Sequence, residues 1–450
     1  MLRSVTLCAV ALLSTIALES VASAQAAPSD PAAAPAPVAA PAPDAPPAPP
    51  APPAPAAPEP LPPPAAAPAE APAPDAVPAT TFESLKVESK NGSASLKVGL
   101  LLQPQYEAIG SAFATHKGTS SNLFLRRTRL LVGGTLFKNF EYFFDTDAPN
   151  LGRGDTTIED GAMPPANGTG QKTGAGMFVQ DAYATWKAAD DMLKFDGGYM
   201  LPPGAHNALQ GAGTLLGVDY FSNSFNHTGA FNAATAPVGR DTGIEARGLL
   251  VDNHIEYRAG LFQGLRKPGT DGTAAAPGDV ASQNMFRFAG RIQVNILDAE
   301  TGFFYAGTYL GKKQILSIGA SIDAQSKYMH WAFDGFLDMP AGPGTVTAQV
   351  NYAKWNGGTF IPALTNESAI MAEAGYRFDA FPIAPIAKFE LLSQKNSDAK
   401  NTRIGGGLAY FPYGHNINLK AFLTNINAKS AEDVSHSYNQ FQLQGQLYFY

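Results

Sequence analysis

The sequence is almost without cysteine. Its one thiol, Cys8, lies in the first 24 residues, so the chain beyond them has no disulfide and no thiolate chemistry. Long apolar runs are missing too. After residue 24 no stretch approaches 18 consecutive apolar residues, which excludes a transmembrane helix. The seven histidines are scattered without metal-ligand spacing. Neither G-x-S-x-G nor H-E-x-x-H occurs, and "GTGQKT" (168–173) has Gln171 where a phosphate-binding loop needs glycine before its lysine. The acidic stretch Asp145, Asp147, Asn150, Asp155, Glu159 and Asp160 lacks the spacing of a calcium loop and reads as a solvated loop. No enzyme activity, cofactor or metal is expected. Charge of one sign is also lacking. Residues 1–80 hold one of 31 basic and six of 38 acidic residues, which leaves 30 against 32 and no reason to expect a nucleic-acid partner.

What is present falls into three blocks. Arg3, the apolar run Val5–Leu18 and Ala22-Ser23-Ala24 have the layout of a cleaved secretory signal peptide over residues 1–24. Residues 25–80 contain 22 of the 37 prolines, mostly alternating with alanine. With no apolar surface to bury and no amide donor at each proline, this block is expected to be an extended, disordered periplasmic spacer. It could reach peptidoglycan. Residues 81–450 form the third block.

In that block the hydrophobic period is two. In "MFRFAGRIQVNI", Phe286, Phe288, Ile292, Val294 and Ile296 alternate with Arg287, Ala289, Arg291, Gln293 and Asn295. "HIEYRAGLF" sets Ile255, Tyr257, Ala259 and Leu261 against His254, Glu256, Arg258 and Gly260, and "FQLQGQLYF" sets Phe441, Leu443, Leu447 and Phe449 against glutamines. Such alternation means strands. Runs of 9–13 residues, abundant aromatics and glycine, and connections alternating short and long favour a transmembrane β-barrel over a soluble sandwich. Seventeen alternating runs can be counted. Bacterial barrels are even-stranded, so "TGFFYAGTYLG" (301–311) is assigned to a long periplasmic connection, leaving 16 antiparallel strands.

Parity then sorts the charges. Thr128, Leu130, Val132, Gly134 and Leu136 face lipid, whereas Arg127, Arg129 and Leu131 face the lumen, so arginine should be tolerated at 131 but not at 132. The expected pore-lining bases are Arg127, Arg129, Lys194, Arg247, Arg258, Arg287, Arg291 and Arg403. The expected acids are Glu141, Asp145, Asp147, Glu245 and Glu256. They can pair across strands or leave a field over the pore.

Several segments resemble a known family. "LFLRRTRLLVGGTLFKNFEYFFDTD" (123–147), "LKFDGGYMLPPG" (193–204), "GRDTGIEARG" (239–248) followed by "IEYRAGLFQG", and "LAYFPYGHNINLKAFL" (408–423) are similar, in order, to motifs of the phosphate-selective porins O and P. The resemblance spans about residues 90–450. It implies a homotrimeric outer-membrane channel, in contact with membrane lipid and lipopolysaccharide, whose third loop folds inward. Here that loop, 202–239, contains neither lysine nor arginine. With Arg240 at its end, the constriction residues are His206, Asp219, His227 and Arg240. A near-neutral constriction predicts diffusion of small polar solutes with mild anion preference and no tight phosphate site. The alternative is a structural or adhesive barrel tethered to the cell wall by the spacer.

Overall fold

The computed structural model describes residues 85–110, 118–154, 176–221, 239–265, 285–361, 364, 366–395, 397–429 and 435–450. The segment assigned to signal peptide and spacer lies outside the described residues, as do His227 and the acidic residues 155–160.

The strands are β1 (Leu85–Glu88), β2 (Ala94–Gly110), β3 (Thr119–Leu136), β4 (Phe140–Asp147), β5 (Phe178–Ala189), β6 (Leu193–Met200), β7 (Asp241–Leu250), β8 (Ile255–Phe262) and β9 (Arg287–Asn295). After them come β10 (Ile315–Gln325), β11 (Tyr328–Pro340), β12 (Gly344–Asn356), β13 (Glu367–Phe378), β14 (Ile383–Gln394), β15 (Lys400–Tyr413), β16 (Ile417–Lys429) and β17 (Ser435–Phe449). From β2 onward each strand pairs antiparallel with the next, and β17 returns to β2 from Gln440–Ile109 to Phe449–Leu100. Sixteen strands therefore close a barrel with no free edge. The short β1 pairs with β2 over Ser95–Val98, taking up the β2 edge just where β17 ends.

The period-two pattern is obeyed by burial. On β9, Ile292 is 54% exposed and Phe288 41%, whereas Arg291 is 4% and Gln293 0%. The outer wall is apolar because a charge facing hydrocarbon costs about 2–4 kcal/mol near the midplane. Polar side chains must therefore turn inward, where water or each other satisfies them. Tyr450 follows the rule: one residue past Phe449, it turns into the lumen against Phe143 and Lys97.

The connections differ from the expected strict alternation. Residues 326–327 make a tight turn on the long-loop side, and 395–399 is also short there. On the opposite side, 296–314 is long. Residues 301–311 form no strand, as assigned. Instead they fold up into the barrel, where Phe303 and Tyr305 are buried. An aromatic segment left in solvent would forgo about 25 cal/mol per Å² of apolar burial. Here it meets the other inward loop. The Gly211 N–H donates to the Tyr305 carbonyl (2.8 Å), the Tyr305 N–H to Leu209 (3.0 Å) and the Thr308 N–H to Thr214 (3.1 Å).

Candidate pore

The lumen is narrowed by residues 201–221, which follow β6 and include two short 3-10 turns, His206–Leu209 and Ala212–Thr214. What holds this loop begins with a proline. Pro104 of β2 has no N–H to give to β3, and there the register slips: Gln103 pairs with Arg127 and Pro104 with Leu125. Arg126 is the extra residue, so Arg126 and Arg127 both reach the lumen. Both grip Asp219: Arg126 Nη2 donates to Oδ2 at 2.9 Å and Arg127 Nη2 to Oδ1 at 2.7 Å. Burial pushes the Asp219 carboxyl up, but the two guanidiniums outweigh it and hold it well below the usual carboxylate range. Strict alternation from Arg127 would turn Arg126 toward lipid. The signal that could have found it is Pro104 inside a central strand.

Two lysines finish the clamp. Lys388 Nζ donates to the carbonyls of Asp219 (2.9 Å) and Tyr220 (2.6 Å). Lys420 Nζ donates to Leu215 (2.6 Å) and Gly217 (3.0 Å). Across the lumen the His206 ring stacks between Tyr305 and Phe336 and meets Glu300 Oε2 at 2.8 Å. The loop thus spans the barrel from β11 to β3 and β16. The near-neutral constriction expected from its own composition is surrounded by four wall cations, because a loop poor in charge exposes carbonyls that lysine can satisfy.

The remaining wall charges divide by position. Arg258, Arg287 and Arg291 face inward and are buried, Arg258 and Arg291 against the two loops and Arg287 against the wall. Arg258 donates to Glu256 (2.7 Å) and to the carbonyls of Gly302 and Phe303. Arg287 takes Asp323 (2.6 Å), and Arg291 takes Asp334 (2.6 Å) and the Gly204 carbonyl. Arg129 bridges Asp147 (3.0 Å) and Asp145 (3.8 Å), Arg240 pairs with Asp181 (3.0 Å), and Arg247 with Asp196 (2.7 Å). Lys194 meets Asp191 at 2.5 Å, while Glu141 pairs with Lys187 rather than with an arginine. Arg247 and Arg258 being taken, the buried Glu245 carboxylate has no hydrogen-bonding partner among the described residues. Arg403 lines the cavity on the long-loop side.

Two cavities flank the loop. The outer one, about 280 Å³, lies on the long-loop side and includes Arg126, Arg153, Lys388, Arg403, Glu107, Asp219 and Glu390. The inner vestibule, about 810 Å³, opens on the short-turn side. Eight basic side chains line it (Lys86, Lys97, Arg129, Lys187, Lys194, Arg240, Arg247, Lys313); six of them have a carboxylate partner, and Lys97 and Lys313 have none among the described residues. Tyr220 lines both cavities. Its hydroxyl donates to the Gln210 carbonyl (2.8 Å), and Arg127 lies over its ring at 5.3 Å.

The inner connection is also pinned by a histidine. In the turn after β15, His415 Nε2 lies 2.9 Å from the Thr308 carbonyl, and its Nδ1 has no partner. Burial lowers its pKa to about 4, with nearby Lys420 and Lys312 acting in the same direction. The unfolded imidazole titrates near 6.5, so stability from the neutral ring is full above that pH and falls as pH drops toward 4. About 3 kcal/mol should be lost across this window at 1.36 kcal/mol per pH unit. Asp219 contributes nothing there, since its stabilisation is lost only below the ordinary carboxylate range. Thermal unfolding of detergent-solubilised protein at pH 7, 5.5 and 4 reads this contribution by difference, and His415→Gln should lose less stability than wild type on acidification. A drop unchanged in that variant contradicts the assignment.

No protein-family model matches the chain, and no curated protein sequence matches it. Solved structures do. The outer-membrane channel DcaP of Acinetobacter baumannii aligns over 82% of this chain and 100% of its own, at 12% identity and a TM-score of 0.50. An anion-selective porin from Comamonas acidovorans covers 79% and 100%, at 11% identity and 0.51. The fold is that of outer-membrane porins. OprB of Pseudomonas putida aligns over 79% of this chain and 94% of its own, at 9% identity and 0.51. At these identities the likeness carries the architecture, and the chemistry has to come from this chain's own side chains.

Proposed function

We propose that the protein is an outer-membrane porin giving passive diffusion of small polar solutes, with a preference for anions. The observation that carries this reading is a closed, lipid-faced barrel whose polar lumen narrows at one clamped loop, with a basic vestibule on one side. Fixed cations in a low-dielectric channel raise the local anion concentration. One of the fold relatives is named as anion-selective. The reading extends to a cleaved signal at 1–24, a periplasmic spacer at 25–80 reaching toward peptidoglycan, and a homotrimer set among membrane lipid and lipopolysaccharide. Arginines that fix loops have much of their fork committed to carboxylates and carbonyls, which disfavours a tight phosphate cradle. The channel is therefore general among anions.

The test is the reversal potential of the purified protein in a planar bilayer under a potassium chloride gradient. A potential of the sign set by chloride, with phosphate at micromolar concentration leaving the chloride current unchanged, supports the reading. A cation-selective potential overturns the preference, micromolar phosphate block overturns its generality, and electrical silence favours the tethered structural barrel.

A further inference from the structure

Two oddities of the sequence end in the same place. The aromatic run 301–311 folds up from the inner connection, and the chain ends one residue beyond Phe449 with an inward Tyr450. Both supply rings to the inner vestibule, a wall that a purely aqueous pore has no use for. Phe143 is the hub: its ring lies 5.6 Å from Tyr450, 5.8 Å from Phe304 and 5.6 Å from Tyr183. Phe303 continues the surface, stacked on Tyr183 at 4.5 Å and edge-on to Phe304 at 4.9 Å. Phe143, Tyr183, Phe304 and Tyr450 are only half-buried and keep open surface toward a cavity of about 810 Å³.

Cations stand at the edges of this surface. Lys97 lies over the Tyr450 ring at 4.3 Å, and Lys313 over Tyr309 at 5.4 Å. Neither lysine has a carboxylate partner among the described residues, unlike Lys187 and Lys194 on the same wall. We propose that the inner vestibule binds solutes that join a planar aromatic ring to an anionic group, aryl carboxylates being the class. An inorganic anion would use the lysines and leave the rings idle, and a neutral sugar would use the rings and leave the lysines idle. An aryl carboxylate uses both, by offset or edge-to-face ring contact and by a charge-assisted hydrogen bond. The inference rests on the channel reading for its biological sense, but not for its test.

Equilibrium binding to the full, detergent-solubilised protein is measured by saturation-transfer NMR with four probes: benzoate, cyclohexanecarboxylate, benzyl alcohol and glucose. Benzoate should bind about tenfold more tightly than cyclohexanecarboxylate, which has the charge without the planar ring, and than benzyl alcohol, which has the ring without the charge. Phe304→Ala should abolish the first preference, and Lys97→Gln the second. Phe304→Leu keeps the apolar volume and serves where the alanine variant fails to fold. Equal binding of benzoate and cyclohexanecarboxylate overturns the proposal, as does glucose matching benzoate or a preference that survives at Phe304→Leu. Binding by a protein that conducts nothing would defeat the channel reading and leave this one standing. Conduction without selective binding would do the reverse.

Discussion

Asp219→Ala should raise single-channel conductance severalfold and shift ion selectivity further toward anions. Its carboxylate is held by both Arg126 and Arg127, at 2.9 and 2.7 Å. Removing it takes away the shared counter-ion of two adjacent guanidiniums and undoes a part-buried clamp. The loop tip then keeps the backbone contacts of Lys388 and Lys420 and its apolar packing, Leu215 and Tyr220 beside Leu101 and Leu131, and Leu216 and Val218 beside Phe411 and Phe422. Two guanidiniums become available to permeating ions, which adds field as well as width. Asp219→Asn retains donors and acceptors without the charge and should fall between. Conductance and reversal potential read the two effects separately, and an unchanged pair of values in Asp219→Ala would show that the loop is held elsewhere.

The second large effect is on assembly. Val132 faces the outer wall between Val98 and Phe144, so Val132→Arg should prevent insertion, at a cost of about 2–4 kcal/mol from charge in hydrocarbon alone. The matched control is Thr135→Arg, three residues on but facing the inner vestibule, where its hydroxyl meets Ser95 at 2.9 Å. That variant should still give folded, heat-modifiable barrels. Equal failure of both would refute the assignment of faces. Leu131, which parity makes the natural control, does not serve. It faces inward as expected but packs on Ala212, Leu215 and Tyr220 of the loop, so an arginine there would displace the loop.

That contrast shows what the sequence could and could not reveal. Strand number, order and facing were legible because hydrocarbon outside and water inside impose a period of two on every strand. The demotion of 301–311 followed from closure, since a seventeenth strand would leave the ends on opposite sides. Parity fails where the ladder does. The bulge opposite Pro104 turns Arg126 inward, and a second register shift after Asp145 leaves Gln180 as the extra residue, buried beside Asp181. Pairing also exceeds what parity can give. Which carboxylate takes Arg247 or Arg258 depends on neighbours in space, and Glu245 ended with none. From the residues alone the filling of the lumen was not legible: the inward fold of 202–239 was expected only from the family resemblance, and that of 296–314 was not expected. Residues 201–221 carry a single fixed charge, neither they nor 296–314 show a repeat, and their meeting at Gln210 and Tyr305 spans 95 positions of sequence.

Tyr220 lines both the outer cavity and the inner vestibule, so the proposed channel is expected to be narrowest at the loop there. Single-channel recording of wild-type protein beside Tyr220→Ala in the same bilayer tests it most directly. Wild type should give small discrete steps, and the alanine variant clearly larger ones, as the two cavities join. Steps of equal size in both would place the constriction elsewhere, and silence in both would contradict the channel itself.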